Sequence, residues 1–291
     1  TQLLNSRGGI EADLTVARLA EDRFYIVTGT GFRTHDFGWI ADHLPKTGVN
    51  FEDVTEGWGT LSLMGPRARD ILAAVTAEDV SNAALPFGSA RILTIAGIKV
   101  RALRVTYVGE LGWELHCPIN QLGEVYDALM AADPALRPVG YRALESLRLE
   151  KGYRAWSSDI TPNDTPFEAG LGWAVKLKSS TPFLGRAALE AARGKPLTKS
   201  LMTFTVEDPA AVLVGRETIL RDGQAVGYLT SGGYGYSIGK SIGMGYVRHE
   251  PGATEPWLMA GRYALVIAGA ETPATLSLKP LVDPEGARIK A

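Results

Sequence analysis

The sequence predicts an α+β fold with a separate all-β domain toward its C-terminal end. Three observations predict it. Over the first two-thirds, strand and helix signals are mixed, and neighbouring strands lie close enough in sequence to pair as hairpins rather than through long crossovers. Beyond about Lys199 short strands follow one another, punctuated by Gly, Pro and Asp, with no good helical period among them. The 291 residues leave room for two domains and a sizeable core. The expected division is 1–195 for the α+β region and 196–291 for a C-terminal β-barrel.

Leu14–Leu19 and Phe24–Thr28 are short β-branched or aromatic strands, and Thr34–Leu44 has helical spacing through Phe37, Ile40 and Leu44. Thr60–Met64 is a strand, after which Gly65-Pro66 opens a helix with Ile71, Leu72 and Val75 on its apolar face. Ala90–Tyr107 and Leu111–His116 are antiparallel strands broken at Gly97 and Gly109, followed by helices at Ile119–Ala131 and Tyr141–Tyr153. The joining stretch of residues 176–199 carries one short helix, Gly185–Arg193. The all-β part is expected to use Leu201–Val206, Glu217–Arg221, Ala225–Ser231, Ile242–Val247 and Arg262–Ile267.

Composition narrows the function classes. With 30 basic against 32 acidic residues, the net charge of -2 offers no electrostatic footprint for nucleic acid. No apolar run approaches the roughly 18–20 residues of a membrane-spanning helix, and no signal peptide is visible. The single cysteine, Cys117, excludes an internal disulfide framework and a multi-cysteine metal site, and favours a reducing, cytoplasmic setting. The chain opens at Thr1-Gln2-Leu3 without Met, already in mid-pattern, so it is expected to be part of a longer polypeptide.

Two glycine motifs are better explained without a nucleotide. Gly29-Thr30-Gly31-Phe32-Arg33-Thr34 lacks the third glycine of a dinucleotide fingerprint, and Thr34 suits a helix N-cap. Gly239-Lys240-Ser241 ends like a phosphate-binding loop, but Tyr234 stands where that loop needs its first glycine, and another strand follows. His35, His43, His116 and His249 have no paired ligand spacing. His116 and Cys117 are adjacent in a strand and point to opposite faces, which excludes a thiolate pair.

Carboxylate and aromatic chemistry remains. Asp13 follows Gly8-Gly9 where a strand is expected to start; it suits proton transfer or ligand anchoring, or equally a turn-stabilising role. In Tyr107-Val108-Gly109-Glu110-Leu111-Gly112-Trp113-Glu114, Tyr107 and Glu114 flank a Gly-containing bend, and Trp113 must face away from Glu114 in a strand. A carboxylate so placed can accept two parallel N–H bonds from a guanidine-like edge such as Arg or a pterin; the alternative is an ion pair with Arg104 or Arg148.

These segments also carry a resemblance. Leu4-Asn5…Gly8-Gly9-Ile10…Asp13-Leu14-Thr15-Val16, Tyr107–Glu114, Ser146–Glu150, Phe183–Leu189 and Gly227…Thr230-Ser231-Gly232…Ser237–Lys240…Gly245-Tyr246-Val247 together resemble the tetrahydrofolate-binding aminomethyltransferase (glycine-cleavage T-protein) family, in the family's order. Glu150–Trp156 and the ending Pro280–Pro284 look most like the folate domain of dimethylglycine and sarcosine dehydrogenases and oxidases. The resemblance implies a T-protein-like fold with ferredoxin-like α+β subdomains and a C-terminal barrel, and tetrahydrofolate as cofactor. It also implies an upstream flavin (FAD) domain or partner subunit of an amine-oxidising enzyme, in the cytoplasm or a mitochondrial matrix. Asp13 matches the family's catalytic aspartate, and Glu114 the glutamate on the pterin's amino-pyrimidine edge. Tyr107 matches a pocket ring, Trp156 stands where relatives often have Tyr, and Thr28 and Arg148 fall at polar pocket positions, Arg148 either lining the pocket or held in an ion pair. Ala12 replaces the first aspartate of the T-protein's doubled pair, leaving Asp13 alone. The implied reaction forms 5,10-methylenetetrahydrofolate from the carbon released by oxidative N-demethylation; the alternatives are a folate-dependent methyltransferase or a non-catalytic folate-binding module.

Overall fold

The structure is a computed structural model describing residues 1–291. By internal contacts the chain forms two units: Thr1–Asp13 with Tyr141–Pro284, and Leu14–Gly140 with Glu285–Ala291. The sequence division at residue 195 follows a change of texture, whereas the contact division follows packing and groups Thr1–Asp13 and Tyr141–Pro284 together.

The first unit begins with an antiparallel hairpin, β1 (Gln2–Leu4) and β2 (Ile10–Asp13), with Gln2 opposite Asp13. Asp13 is therefore the last residue of its strand, not at the strand's start as expected. The turn consumes both glycines first. Within it, the Asn5 side-chain oxygen accepts from the backbone N–H groups of Arg7 and Gly9, each at 3.0 Å. Gly9 has no room for a side chain: a Cβ there would lie 1.9 Å from the Pro162 carbonyl oxygen.

The second unit starts with a two-stranded ribbon, β3 (Thr15–Arg18) and β4 (Phe24–Val27), leading into α1 (Arg33–His43). The expected Thr34 cap is not formed. A tight turn closed by Phe32 N–H donating to the Gly29 carbonyl at 2.8 Å runs straight into the helix, so Thr34 falls inside its first turn. Next come β5 (Trp58–Met64), α2 (Ala68–Val75), β6 (Ala90–Ile95), β7 (Ile98–Leu103), β8 (Gly112–Pro118) and α3 (Leu122–Ala132). The four strands from β5 to β8 make an antiparallel sheet in the order β5-β8-β7-β6. The strand expected to reach Tyr107 ends at Leu103; Arg104 N–H then donates to the Ser89 carbonyl at 2.9 Å and the chain bends through Tyr107–Leu111. One face of the sheet supplies Leu63, Leu93, Ile95, Val100, Ala102, Trp113, Leu115 and Cys117 to a core completed by Ile71 and Leu72 of α2 and Val125 and Leu129 of α3. Helices on one side leave the alternate residues of each strand on the other.

Back in the first unit, α4 (Tyr141–Glu150) stops three residues before the expected Tyr153. Gly152, at φ +66°, closes it: Gly152 N–H donates to the Leu149 carbonyl and Tyr153 N–H to the Arg148 carbonyl, the paired bonds of a glycine-terminated helix. The short α5 (Arg186–Ala192) lies where the sequence places it. The remaining strands are β9 (Lys199–Val206), β10 (Thr218–Arg221), β11 (Gln224–Gly235), β12 (Lys240–Arg248), β13 (Tyr263–Ile267) and β14 (Ala270–Ser277). They close a six-stranded barrel in the order β10-β11-β12-β9-β14-β13 around Phe204, Ile219, Leu229, Val247, Leu265 and Leu276. Two barrel elements escape the sequence reading: β14, and the six-residue α6 (Glu255–Ala260), whose start is capped by Thr254. A last turn of helix, α7 (Ala287–Lys290), belongs to the second unit.

Candidate functional site

Of the six residues singled out from the sequence, Thr28, Tyr107 and Glu114 belong to the second unit and Asp13, Arg148 and Trp156 to the first.

In the second unit the strict alternation of β8 decides the site. Trp113, Leu115 and Cys117 are fully buried in the core, so Glu114 and His116 emerge on the opposite face, as the sequence expects for Trp113 and Glu114. Glu114 is a quarter exposed and lies between Ser62 of β5 and Leu103 of β7; His116 lies between Thr60 and Arg101. Glu114 Oε2 is 3.5 Å from His116 Nε2. On the ring's other side, His116 Nδ1 is 2.9 Å from Thr60 Oγ1 and 3.3 Å from the Tyr25 hydroxyl. The Arg101 guanidinium is sandwiched between the rings of Tyr25 and Trp58, 4.0 and 4.5 Å from their centroids. Its Nε and Nη1 are buried without a hydrogen-bond partner, and burial lowers its pKa. Burial likewise raises the Tyr25 hydroxyl, against the opposing pull of Arg101. Sequence reasoning missed Tyr25, Thr60, Arg101 and His116 as neighbours of Glu114. The strand alternation that turns Glu114 outward turns His116 outward too, and is the available signal.

The alternative reading of Glu114, an ion pair with Arg104 or Arg148, is not realised. Arg104 is buried and donates to Asn82 and the Leu85 carbonyl. Tyr107, half-buried, sits in the bend between β7 and β8 that also contains Gly109 at φ +74°. Thr28 follows β4 and donates its hydroxyl to Asp36, the one buried residue of α1, whose other oxygen is 2.8 Å from His35 Nδ1. The apolar face expected on α1 is not buried: Phe37 instead stacks on Phe51 at 4.6 Å.

In the first unit Asp13 closes the β1–β2 hairpin, one third exposed, its Oδ1 accepting from the Gln2 amide at 3.0 Å. Trp156 donates its indole N–H to the Ile10 carbonyl at 3.0 Å, and its ring packs on the cluster of Leu4, Ile10, Ile160, Ala169, Leu171 and Leu189. The ring is thus tied to the strand that ends in Asp13. Arg148 is enclosed. Its guanidinium meets Asp159 at 2.6 Å, Ser231 Oγ at 2.8 Å and the Tyr153 carbonyl at 3.1 Å. Asp159, fully buried, also accepts from Thr230, Ser231 and the Ala155 N–H. This network spans both ends of the loop that presents Trp156. Of the two readings left open for Arg148, the geometry shows the ion pair.

No group of three or more His, Cys, Asp or Glu side chains is arranged to hold a metal ion. Cys117 faces the core, its thiol pushed up by burial. No helix is long and apolar enough to cross a membrane.

The fold and these motifs have counterparts. The GCVT N-terminal domain matches residues 1–179, and the glycine cleavage T-protein C-terminal barrel domain matches residues 199–283. The chain belongs to the glycine-cleavage T-protein family. Among relatives of this T-protein domain, the mitochondrial sarcosine dehydrogenase of Mus musculus is 41% identical over 309 residues, covering 100% of this chain and 34% of that protein. The mitochondrial dimethylglycine dehydrogenase of Mus musculus is 35% identical over 294 residues, covering 100% of this chain and 33% of that protein. The chain thus spans about a third of the length of these relatives. In structure it resembles the glycine cleavage system aminomethyltransferase T of Bartonella henselae, with a TM-score of 0.83 and 27% identity over 97% of this chain and 75% of that one. The T-protein architecture, mixed α/β with the C-terminal barrel, is therefore established, and the chain is an aminomethyltransferase-type domain.

Proposed function

We propose that this domain takes a one-carbon unit, released by oxidative N-demethylation of a methylated amine such as sarcosine or dimethylglycine, onto tetrahydrofolate. The observation that carries the reading is Glu114: a partly exposed carboxylate on the sheet face turned away from the core, with no arginine or lysine pairing it. Such a group accepts two parallel N–H bonds, the pattern an amino-pyrimidine edge offers. When bound, tetrahydrofolate supplies the amine that receives a carbon at the formaldehyde level, giving 5,10-methylenetetrahydrofolate.

The chain's own residues hold and manage protons. Glu114 orients the pterin edge, and Tyr107, on the bend before β8, contributes a ring face. Asp13 accepts the proton the amine loses and offsets positive charge developing at that amine. Trp156, anchored to the Ile10 carbonyl, keeps the backbone before Asp13 in place. Arg148 supports the Trp156 loop through Asp159, and Thr28 is a polar lining group. The oxidation that releases the carbon is assigned to an upstream flavin domain or partner subunit, in the cytoplasm or a mitochondrial matrix. The similarity to sarcosine and dimethylglycine dehydrogenases about three times this length supports that assignment.

Calorimetric titration of the intact protein with tetrahydrofolate tests the reading. Binding is expected, weakened roughly 10- to 100-fold by Glu114→Gln, the equivalent of losing a charge-assisted hydrogen bond. No binding by the unmodified protein removes the reading. Equal affinity in the variant removes Glu114 from it.

A further inference from the structure

We infer that His116 is a positioning residue for Glu114, locked as the tautomer that carries its proton on Nε2. The inference rests on the reading that Glu114 takes the pterin edge.

The two ring nitrogens meet different chemistry. Nδ1 faces two hydroxyls, Thr60 Oγ1 at 2.9 Å and Tyr25 at 3.3 Å. Both are able to donate. Nε2 is shielded from solvent, has no closed hydrogen bond, and faces Glu114 Oε2 at 3.5 Å. A neutral imidazole has one N–H and one lone pair. Placing the lone pair on Nε2 would aim it at a carboxylate oxygen and leave Nδ1–H to compete with two hydroxyl donors. Placing the proton on Nε2 satisfies both sides: the hydroxyls donate to Nδ1 and the N–H points at Glu114. The arrangement is braced by a neighbouring ring. Tyr25 meets the His116 ring edge-on at 5.5 Å and is itself clamped by Arg101, whose charge favours electron density on the Tyr25 oxygen. The titratable groups facing His116 are thus Tyr25, Arg101 and Glu114, from β4, β7 and β8.

The consequence for the site is directional. One carboxylate oxygen of Glu114 faces a neutral N–H 3.5 Å away, which favours one rotamer without neutralising the charge. The plane of the carboxylate is then set before a ligand arrives, and each oxygen keeps a lone pair for one of the ligand's two parallel N–H groups. Thr60, directly opposite His116 across the β5–β8 pair, thereby acts on Glu114 at one remove.

Two measurements test this. In the intact, ligand-free protein at alkaline pH, ring-nitrogen NMR of His116 should show Nε2 protonated and Nδ1 as acceptor; an Nδ1–H ring overturns the inference regardless of whether folate binds. The second is a double-mutant cycle on tetrahydrofolate affinity. His116→Leu should weaken binding roughly tenfold, and His116→Gln, whose amide N–H reaches the place of Nε2, should recover most of the loss. In a Glu114→Gln background the same substitution should change affinity less than about twofold. An equal loss in both backgrounds means His116 only supports the fold and overturns the positioning role. Failure of the unmodified protein to bind folate would instead strike the proposed function, while the ring tautomer, measured without ligand, still decides whether His116 is locked as inferred.

Discussion

Arg148 and Asp159 form an ion pair at 2.6 Å in which both side chains are shut away from solvent, 3% and 0% exposed. Every acceptor around it is used: Asp159 takes two hydroxyls and a backbone N–H besides the guanidinium. Removing Arg148 leaves Asp159 charged and buried without its ion-pair partner, whereas Arg148 without Asp159 still has Glu145 at 2.8 Å. Arg148→Met should therefore lower stability by about 3–5 kcal/mol, and Asp159→Asn by less because hydrogen bonds partly survive. Chemical denaturation of each variant checks this; losses under about 1 kcal/mol would mean that the pair is not structural.

Asp13→Asn separates binding from chemistry. The amide keeps the shape and can still meet Gln2, now 3.0 Å from Asp13 Oδ1, but it accepts no proton. Folate affinity should stay within about threefold while methylene transfer falls by roughly 10²–10⁴, the usual reach of general-base catalysis. Single-turnover assays with the methylated amine oxidised in situ supply the measurement. Unaltered transfer would take Asp13 out of its proposed role.

Glu78 provides a pH signature. Hydrogen bonds from the Thr76 hydroxyl and from both the hydroxyl and backbone N–H of Thr94 hold its carboxyl down to about 2. A folded-state pKa below the unfolded one adds stability that is complete above the ordinary carboxylate range and disappears as pH falls through the folded value. The melting-temperature gap between the parent protein and Glu78→Gln should be widest near neutrality and shrink as pH drops from about 4.5 toward about 2. A gap that grows in acid would contradict the assignment.

Gly9→Ala asks for an atom where the Pro162 carbonyl already stands. The hairpin and the loop cannot both keep their places, and a loss of about 1–3 kcal/mol is expected from overpacking of this kind. Because the displaced backbone is the strand leading to Asp13, activity should fall with stability. Full retention of both would show that the close approach is dispensable.

The strands and helices most visible in the sequence are those whose periodicity agrees with their packing. β8 is the clear instance, since Trp113, Leu115 and Cys117 face the core and the polar residues between them do not. The exceptions have local causes. β14 is hidden because Pro273 argues against a strand, yet Pro273 sits in the half of β14 that pairs only with β13, where its missing N–H is not needed; pairing with β9 begins at Ala274. The short α6 is obscured by Pro256, although Thr254 ahead of a Pro in the first turn is itself a helix-start signal. Thr34 resembles a cap because the preceding turn merges with α1, a junction that residue types do not disclose.

At the candidate site, the outward turn of Glu114 and the bend that holds Tyr107 are legible because a bend and a strand parity are local properties. The ring of partners around His116 is not. Tyr25, Thr60 and Arg101 come from three separate strands, and only the register of the β5–β8 and β7–β8 pairs, with Tyr25 carried in from β4, sets them around one imidazole. The fate of Arg148 is hidden for the same reason, since its partners Ser231 and Asp159 are distant in sequence or lie beyond the end of its helix.

The partition of the chain has a consequence for its biosynthesis. The first unit joins Thr1–Asp13 to Tyr141–Pro284, with nearly all of the second unit threaded between them. As the chain leaves a ribosome, Leu14–Gly140 is complete and free to fold while the opening hairpin still lacks the Pro162 carbonyl and the Trp156 indole that it docks against. The long closure costs little extra entropy, because that cost grows only with the logarithm of loop length. Asp13, synthesised well before Trp156, therefore reaches its docked position only after that later loop has emerged, and a nascent chain stalled before Trp156 would carry a folded sheet with Glu114 in place and no seat for the strand that ends in Asp13.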